Sequence, residues 1–282
     1  MKVRWMFHAT AMVRDYDATV EPLERVFGLR VLHVNVSEEE GIGRRGGMAW
    51  VGDGSVEIGE PAGANSPVRT FVESFGGGMH SIALQVDDTE AAKAHFATVG
   101  VAVATEPYAG MVWTRPADTA GVLIEWFSLE EPSDPRWGAR VPDGPPPLVP
   151  IERLAFVTAM VREPARDGER LAEILGTSAT QIADSNAPDN IEAVLSLGDC
   201  SLALIALGDA TTSLARWGVV YDRPRVHGIG LLVDDIDSAL HVLAGVGIGA
   251  HRRTDAFVVL DPLALPLPVM LCDRLLPGDP RS

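Results

Sequence analysis

The chain has 282 residues, 46% of them apolar and 22% charged, which suits about two folded domains and excludes a disordered protein. Its 39 acidic residues against 23 basic ones give a net charge of −16, so a nucleic-acid backbone or an anionic lipid surface would be repelled and neither is expected as a partner. Two cysteines without CxxC spacing, Cys200 and Cys272, and the lack of any stretch approaching about 18 uncharged apolar residues point to a cytoplasmic protein with no disulfide framework, cysteine zinc site, export signal or membrane span.

In chain order, the first predicted strand is the run HATAMVRD from His8. A helix follows through EPLERVFG to Gly28, a residue free to take the left-handed conformation that stops a helix. Apolar or alternating runs at residues 30–36, 47–51 and 55–58, parted by Gly, Asp and Asn, read as three strands, with the run SEEE at residues 37–40 in a solvated loop. The order then restarts at His80 in HSIALQVD, continues through the helix EAAKAHFATVG to Gly100, and closes on the strand GVLIEWF at residues 121–127. Residues 131–150 hold seven prolines and read as a stiff connector between a domain at 1–130 and another at 151–282. Beyond it the pattern returns twice more, from Phe156 through GERLAEILG to Gly176, and from His227 through SALHVLAGVG to Gly247.

The chain repeats itself. Thr10 to Arg14 (TAMVR) recurs at Thr158 to Arg162, an offset of 158 − 10 = 148, and MHSIALQVDD from Met79 recurs as VHGIGLLVDD from Val226, an offset of 226 − 79 = 147. Counting twenty residues on from His8, His80, Phe156 and His227 reaches a glycine each time. The chain therefore reads as an α+β protein of four βαβββ modules, paired into two halves.

The repeat also exposes candidate ligands. His8 and His80 open the first strands of modules one and two, and Glu57 and Glu125 lie on the last strands, 57 − 8 = 49 and 125 − 80 = 45 residues later. A carboxylate between apolar neighbours is costly to bury unless it is paired or bound to a metal. Two His and two Glu at equivalent places predict one divalent ion, Ni, Co, Mn, Zn or Fe, held in the first half. A lone strand-opening His is more often a core residue, and a lone Glu often faces solvent; the joint recurrence favours ligation. At the equivalent places the second half has Phe156, Ala203, His227 and a residue near Met270, so it reads as a degenerate copy that packs against or shapes the first, with His227 a core residue. His33, His95, His241 and His251 have no equivalent partners and receive no role.

Paired βαβββ units with His and carboxylate on their outer strands resemble the vicinal oxygen chelate superfamily, which includes glyoxalase I, methylmalonyl-CoA epimerase, bleomycin-binding proteins and extradiol dioxygenases. The likeness covers essentially the whole chain as two tandem vicinal-oxygen-chelate domains. Residues 56–88 and 121–127 follow the epimerase pattern most closely. His8, Glu57, His80 and Glu125 fall on the superfamily's metal-ligand positions, with Glu57 matching glyoxalase I where the epimerase has glutamine. Two departures stand out: Arg44 and Arg45 occupy the region where the epimerase carries a second base, and the loop at residues 114–121 lacks its His-Pro-Lys pattern. The resemblance implies a metal-dependent isomerase or lyase acting on a small substrate with adjacent oxygens. In that reading Glu125 or Glu57 is the general base, Arg44 or Arg45 holds an anionic group, and Trp113 and Trp126 are candidate pocket walls. An extradiol-type ring-cleaving dioxygenase and a non-catalytic drug or metabolite binder are the alternatives. A monomer or homodimer is expected.

Overall fold

The computed structural model describes residues 1–37, 43–132, 134–141, 146–182, 191–207, 223–261, 265 and 267–282. The acidic run at 38–40 lies outside them.

Two eight-stranded sheets carry the fold. The first is built from β1 (Val3–Met12), β2 (Val31–Ser37), β3 (Arg44–Val51), β4 (Gly54–Pro61), β5 (Gly78–Val86), β6 (Val103–Tyr108), β7 (Met111–Thr114) and β8 (Ile124–Phe127), in the order β2-β3-β4-β1-β5-β8-β7-β6. The second is built from β9 (Arg153–Val161), β10 (Ala179–Gln181), β11 (Ile191–Ser196), β12 (Ser201–Ala206), β13 (Arg225–Leu232), β14 (Ala250–Thr254), β15 (Phe257–Leu260) and β16 (Val269–Cys272), and repeats that order as β10-β11-β12-β9-β13-β16-β15-β14. Within each sheet two βαβββ modules meet at their first strands, which pair antiparallel: β1 with β5 and β9 with β13.

Helices α1 (Tyr16–Phe27), α3 (Thr89–Thr98), α4 (Pro164–Leu175) and α5 (Ile236–Gly245) follow the four first strands. Asp15, Asp88 and Asp235 cap three of them, their carboxylates accepting from backbone N–H groups of the first turn. Gly28, Gly100, Gly176 and Gly247 all adopt φ between 66° and 77° at the opposite ends, which explains their common spacing. A short helix, α2 (Arg69–Phe75), lies between the modules of the first half and has no counterpart in the sequence reading.

Each sheet turns one face to its helices. In the first half that face carries Met6, Ala9, Ile58, Ile82, Leu84, Ile124 and Trp126 and joins the main core. Trp126 is fully buried there, its Nε1 donating to Thr114 Oγ1 at 3.2 Å, so it belongs to the core and not to a pocket wall. The halves meet along β5 and β13, where Arg225 donates to the Met79 carbonyl at 3.0 Å.

The proline-rich stretch is less free than its composition suggests. Asp134 is fully buried, residues Pro135–Trp137 form a 3-10 turn, and the N–H groups of Leu148 and Val149 both donate to the Val26 carbonyl at 2.9 Å. Proline limits which groups can donate; the remaining donors tie the segment to α1, and the Asp134 carboxylate holds Arg136, which donates to carbonyls of β1. Cys200 and Cys272 are free and buried. Among the described residues no helix is long and apolar enough to cross a membrane.

Candidate active site

The other face of the first sheet is where the predicted residues gather. Across the parallel ladder Thr10 is in register with Glu57, and across the antiparallel one it is in register with Ser81. In the neighbouring row His8 pairs with Ala83, Ala83 with Glu125, and Glu125 with Trp113. On β3, Met48 pairs with Glu57, and by strand alternation Arg44, Gly46, Met48 and Trp50 share that face.

Of three register shifts between β1 and β5, two modify the alternation at the site. The β1–β5 register shifts between Met6 and His8, making Phe7 an extra residue, and again between Thr10 and Ala11, making His80 one. A bulge re-aims side chains. Phe7 therefore joins His8 on the open face, with ring centroids 4.7 Å apart, and His80 leaves the core alternation to stand beside Ser81 with its ring edge-on to Phe71.

The polar groups form two small clusters. In one, Arg44 grips Glu57, with Nη2 at 2.6 Å from Oε1 and Nη1 donating to Oε2 at 3.3 Å, while His8 Nε2 stands 3.6 Å from Oε2. In the other, Ser81 donates to Glu125 Oε1 at 2.5 Å and lies 3.2 Å from His80 Nδ1. Among the described residues no three His, Cys, Asp or Glu side chains converge closely enough to hold a metal ion. Glu57 is turned toward Arg44 and Glu125 toward Ser81. The residues nonetheless suit a divalent ion in donor chemistry. Both ring nitrogens of His8 are buried without a hydrogen-bond partner, a costly state that a metal would relieve.

Burial dominates the electrostatics. It pushes His8 down to about 4, against the attraction of Glu57 and with help from Arg44, and it pushes His80 down to about 4, aided by Arg225 and Arg44. Both imidazoles are neutral at pH 7, the form that ligates metal. Burial raises the Glu125 carboxyl to about 7, opposed by the Ser81 hydrogen bond and reinforced by Glu57.

Around these groups lies an apolar wall of Phe7, Trp50, Met111 and Phe127, with Met48 and Trp113 partly buried against it. The Nε1 atoms of Trp50 and Trp113 are buried there without partners. Arg45, on the opposite face of β3, pairs with Asp17 at 2.6 Å and stacks on Tyr16, so it is not brought to the site.

Some contributors escaped the sequence reading. Ser81 was legible only as the neighbour of His80, replaced by glycine in the copy. Tyr108, on β6, stands near enough to Glu125, Arg44 and Glu57 for their charges to act on it, with burial raising its phenol. The third is a clasp. Arg136 is held by Asp134, with Nη2 at 2.7 Å from Oδ2, and donates to the carbonyls of Met6 at 2.9 Å and Phe7 at 3.1 Å, the start of the bulge that sets His8. Arg281, held by Asp279, does the same for Leu154 and Ala155. The signal was present as a third repeat, Asp-Pro-Arg at residues 134–136 and 279–281.

In the second sheet the equivalent face is closed. By register Phe156, Ala203 and Met270 occupy the places of His8, Glu57 and Glu125, and they pack with Ile191, Val194, Phe257 and Leu276 into an apolar cluster. His227 takes the place of His80, and burial pushes it down to about 3.

The family model described as Glyoxalase/Bleomycin resistance protein/Dioxygenase superfamily matches residues 5–126. A triple mutant of 4-hydroxymandelate synthase from Streptomyces coelicolor aligns over 98% of this chain and 94% of its own, with TM-score 0.69 and 16% identity, a likeness of fold. Methylmalonyl-CoA epimerase of Streptomyces coelicolor, in complex with 2-nitronate-propionyl-CoA, is 30% identical over 44% of this chain and 96% of its own, with TM-score 0.41. The epimerase of Mycobacterium tuberculosis is 22% identical over 44% of this chain and 87% of its own, with TM-score 0.40. Among curated proteins none matches.

Proposed function

Because the chain belongs to the glyoxalase, bleomycin resistance protein and dioxygenase superfamily, we propose that the open face of its first sheet is a divalent-metal-dependent active site of isomerase or lyase type, acting on a small substrate with adjacent oxygens. One observation carries the reading. Four register-equivalent positions hold His8, Glu57, His80 and Glu125 on the open face and Phe156, Ala203, His227 and Met270 on the closed one.

His8, His80, Glu125 and Glu57 would hold the metal, which when bound polarises a substrate carbonyl and stabilises charge developing on its oxygen. The remaining work falls to the chain. Glu125, buried on the open face, serves as the base for a carbon acid next to that carbonyl. The Ser81 hydroxyl orients Oε1 and stabilises the ionised form. Phe7, Trp50 and Phe127 exclude water, which strengthens every charge interaction inside the cleft.

The test is proton exchange in D2O, followed by NMR on hydroxyketones and acyl thioesters with protein loaded with nickel, cobalt, manganese or zinc. Exchange lost in Glu125→Gln is expected. No exchange on any substrate by protein shown to carry one metal per chain would sink the isomerase and lyase reading. A second reading, a ring-cleaving dioxygenase, is favoured by the Arg44–Glu57 ion pair. That pair leaves His8, His80 and Glu125 as a two-His, one-carboxylate set suited to iron. Oxygen uptake with catechols and ferrous iron distinguishes it.

A further inference from the structure

Glu57 has three claimants, one of them the Thr10 hydroxyl, which donates to Oε2 at 3.5 Å. Both of its carboxylate oxygens are engaged by the Arg44 guanidinium, at 2.6 and 3.3 Å, and the same Oε2 is 3.6 Å from His8 Nε2. The pair is unevenly buried, since the Glu57 side chain is 11% exposed and that of Arg44 33%. Part of the Arg44 side chain therefore reaches solvent while its fork is spent on a carboxylate inside the protein. Gly46, in register between Arg44 and Glu57, puts no side chain in the way of a guanidinium swinging off, while the space over its partner Gly59 is filled by the Met12 side chain.

Charge balance decides which partner Arg44 keeps. With Arg44 on Glu57 the corner is neutral. A divalent cation bound by Glu57 and His8 would sit beside a guanidinium and be repelled by it, at separations where screening by water is weak. If Arg44 turns instead to an anion at the mouth, Glu57 is released and the repulsion is offset. The fork of arginine matches a carboxylate in geometry as well as charge. The wall beside it, Met48, Trp50 and Phe7, is apolar and would hold an apolar or aromatic body.

We infer that Arg44 is a displaceable internal cation that competes with the metal for Glu57, and that the substrate carries a carboxylate on an apolar body which draws Arg44 away, so that metal and carboxylate bind cooperatively. This rests on the proposed metal site. By linkage the coupling is reciprocal: the carboxylate must bind more tightly to metal-loaded than to metal-free protein, by the same factor.

The experiment titrates the whole chain with cobalt(II), reading its visible absorption and calorimetric heat, with and without benzoate, and with benzyl alcohol as a neutral body of similar size. Wild type is expected to bind one cobalt per chain, about tenfold more tightly in saturating benzoate and unchanged in benzyl alcohol, within the usual range of such couplings. Arg44→Met is expected to bind cobalt about tenfold more tightly than wild type with no response to benzoate, and Arg44→Lys to keep a reduced response. In Glu57→Gln the benzoate effect disappears. The benzoate titration of wild type needs no variant to fold. Cobalt bound by wild type with no effect of benzoate, or tightened equally by benzyl alcohol, overturns the inference and leaves the metal reading standing. No cobalt bound by wild type or any variant overturns both.

Discussion

The ring of Phe156 lies directly against the backbone of Gly230, at the place where His8 in the first half faces Ala83 across the equivalent pair of strands. A Cβ on Gly230 would run into the ring atoms of Phe156, itself fully buried. The glycine makes room for the phenylalanine, and the phenylalanine fills what would otherwise be a second cleft.

Gly230→Ala is therefore expected to destabilise the chain by about 1–3 kcal/mol, the usual cost of overpacking. In a Phe156→Leu background the same change should cost little. Urea unfolding of the two single variants and the double variant measures this as a coupling energy. Equal costs in both backgrounds would refute the contact.

The carboxyl of Glu125 links the site to pH. Its ordinary value is 4.5 and burial lifts it to about 7, so as pH rises between these values the unfolded chain loses this proton while the folded one keeps it. Folded stability from this group is thus full below about 4.5 and falls until about pH 7, by about 3 kcal/mol at ~1.4 kcal/mol per pH unit. In chelator, Glu125→Gln is expected to gain on wild type by that amount between pH 4.5 and 7.5. His8, His80 and His227 lose stability in the opposite direction, as pH falls through the same region, but they are common to both proteins and drop out of the comparison.

Ser81 sets where that titration falls. Its hydroxyl donates to Glu125 Oε1 and favours the ionised form, so Ser81→Ala should move the carboxyl further above 7. Infrared titration of the carboxyl band in metal-free protein reads the shift. A move downward would show that the hydroxyl acts otherwise.

The Asp134–Arg136 clasp holds the bulge from which His8 projects. Asp134 is fully buried, and removing its guanidinium leaves a buried charge unpaired, for which about 3 kcal/mol is expected from Arg136→Ala. The loss in Asp134→Ala/Arg136→Ala should be smaller than the sum of the singles. Arg281→Ala, at the equivalent clasp, should cost a similar amount without altering metal affinity, because no candidate ligand follows it.

The sequence by itself determined the architecture. Four strand–helix–glycine signals and the offsets near 147 are local facts, and each module's hydrogen bonds and apolar faces follow from them. It also determined the ligand candidates, since a buried carboxylate or imidazole at equivalent points of a duplicated strand is visible as a letter. Tertiary structure decided the rest. Alternation along β5 would turn His80 away from Ser81, and only the register shift against β1 brings them together, because a bulge depends on how two strands pair and not on either alone. Arg44 and Arg45 are equal in the sequence. The pleat sends one to Glu57 and the other to Asp17, and strand phase is fixed by which face finds a core.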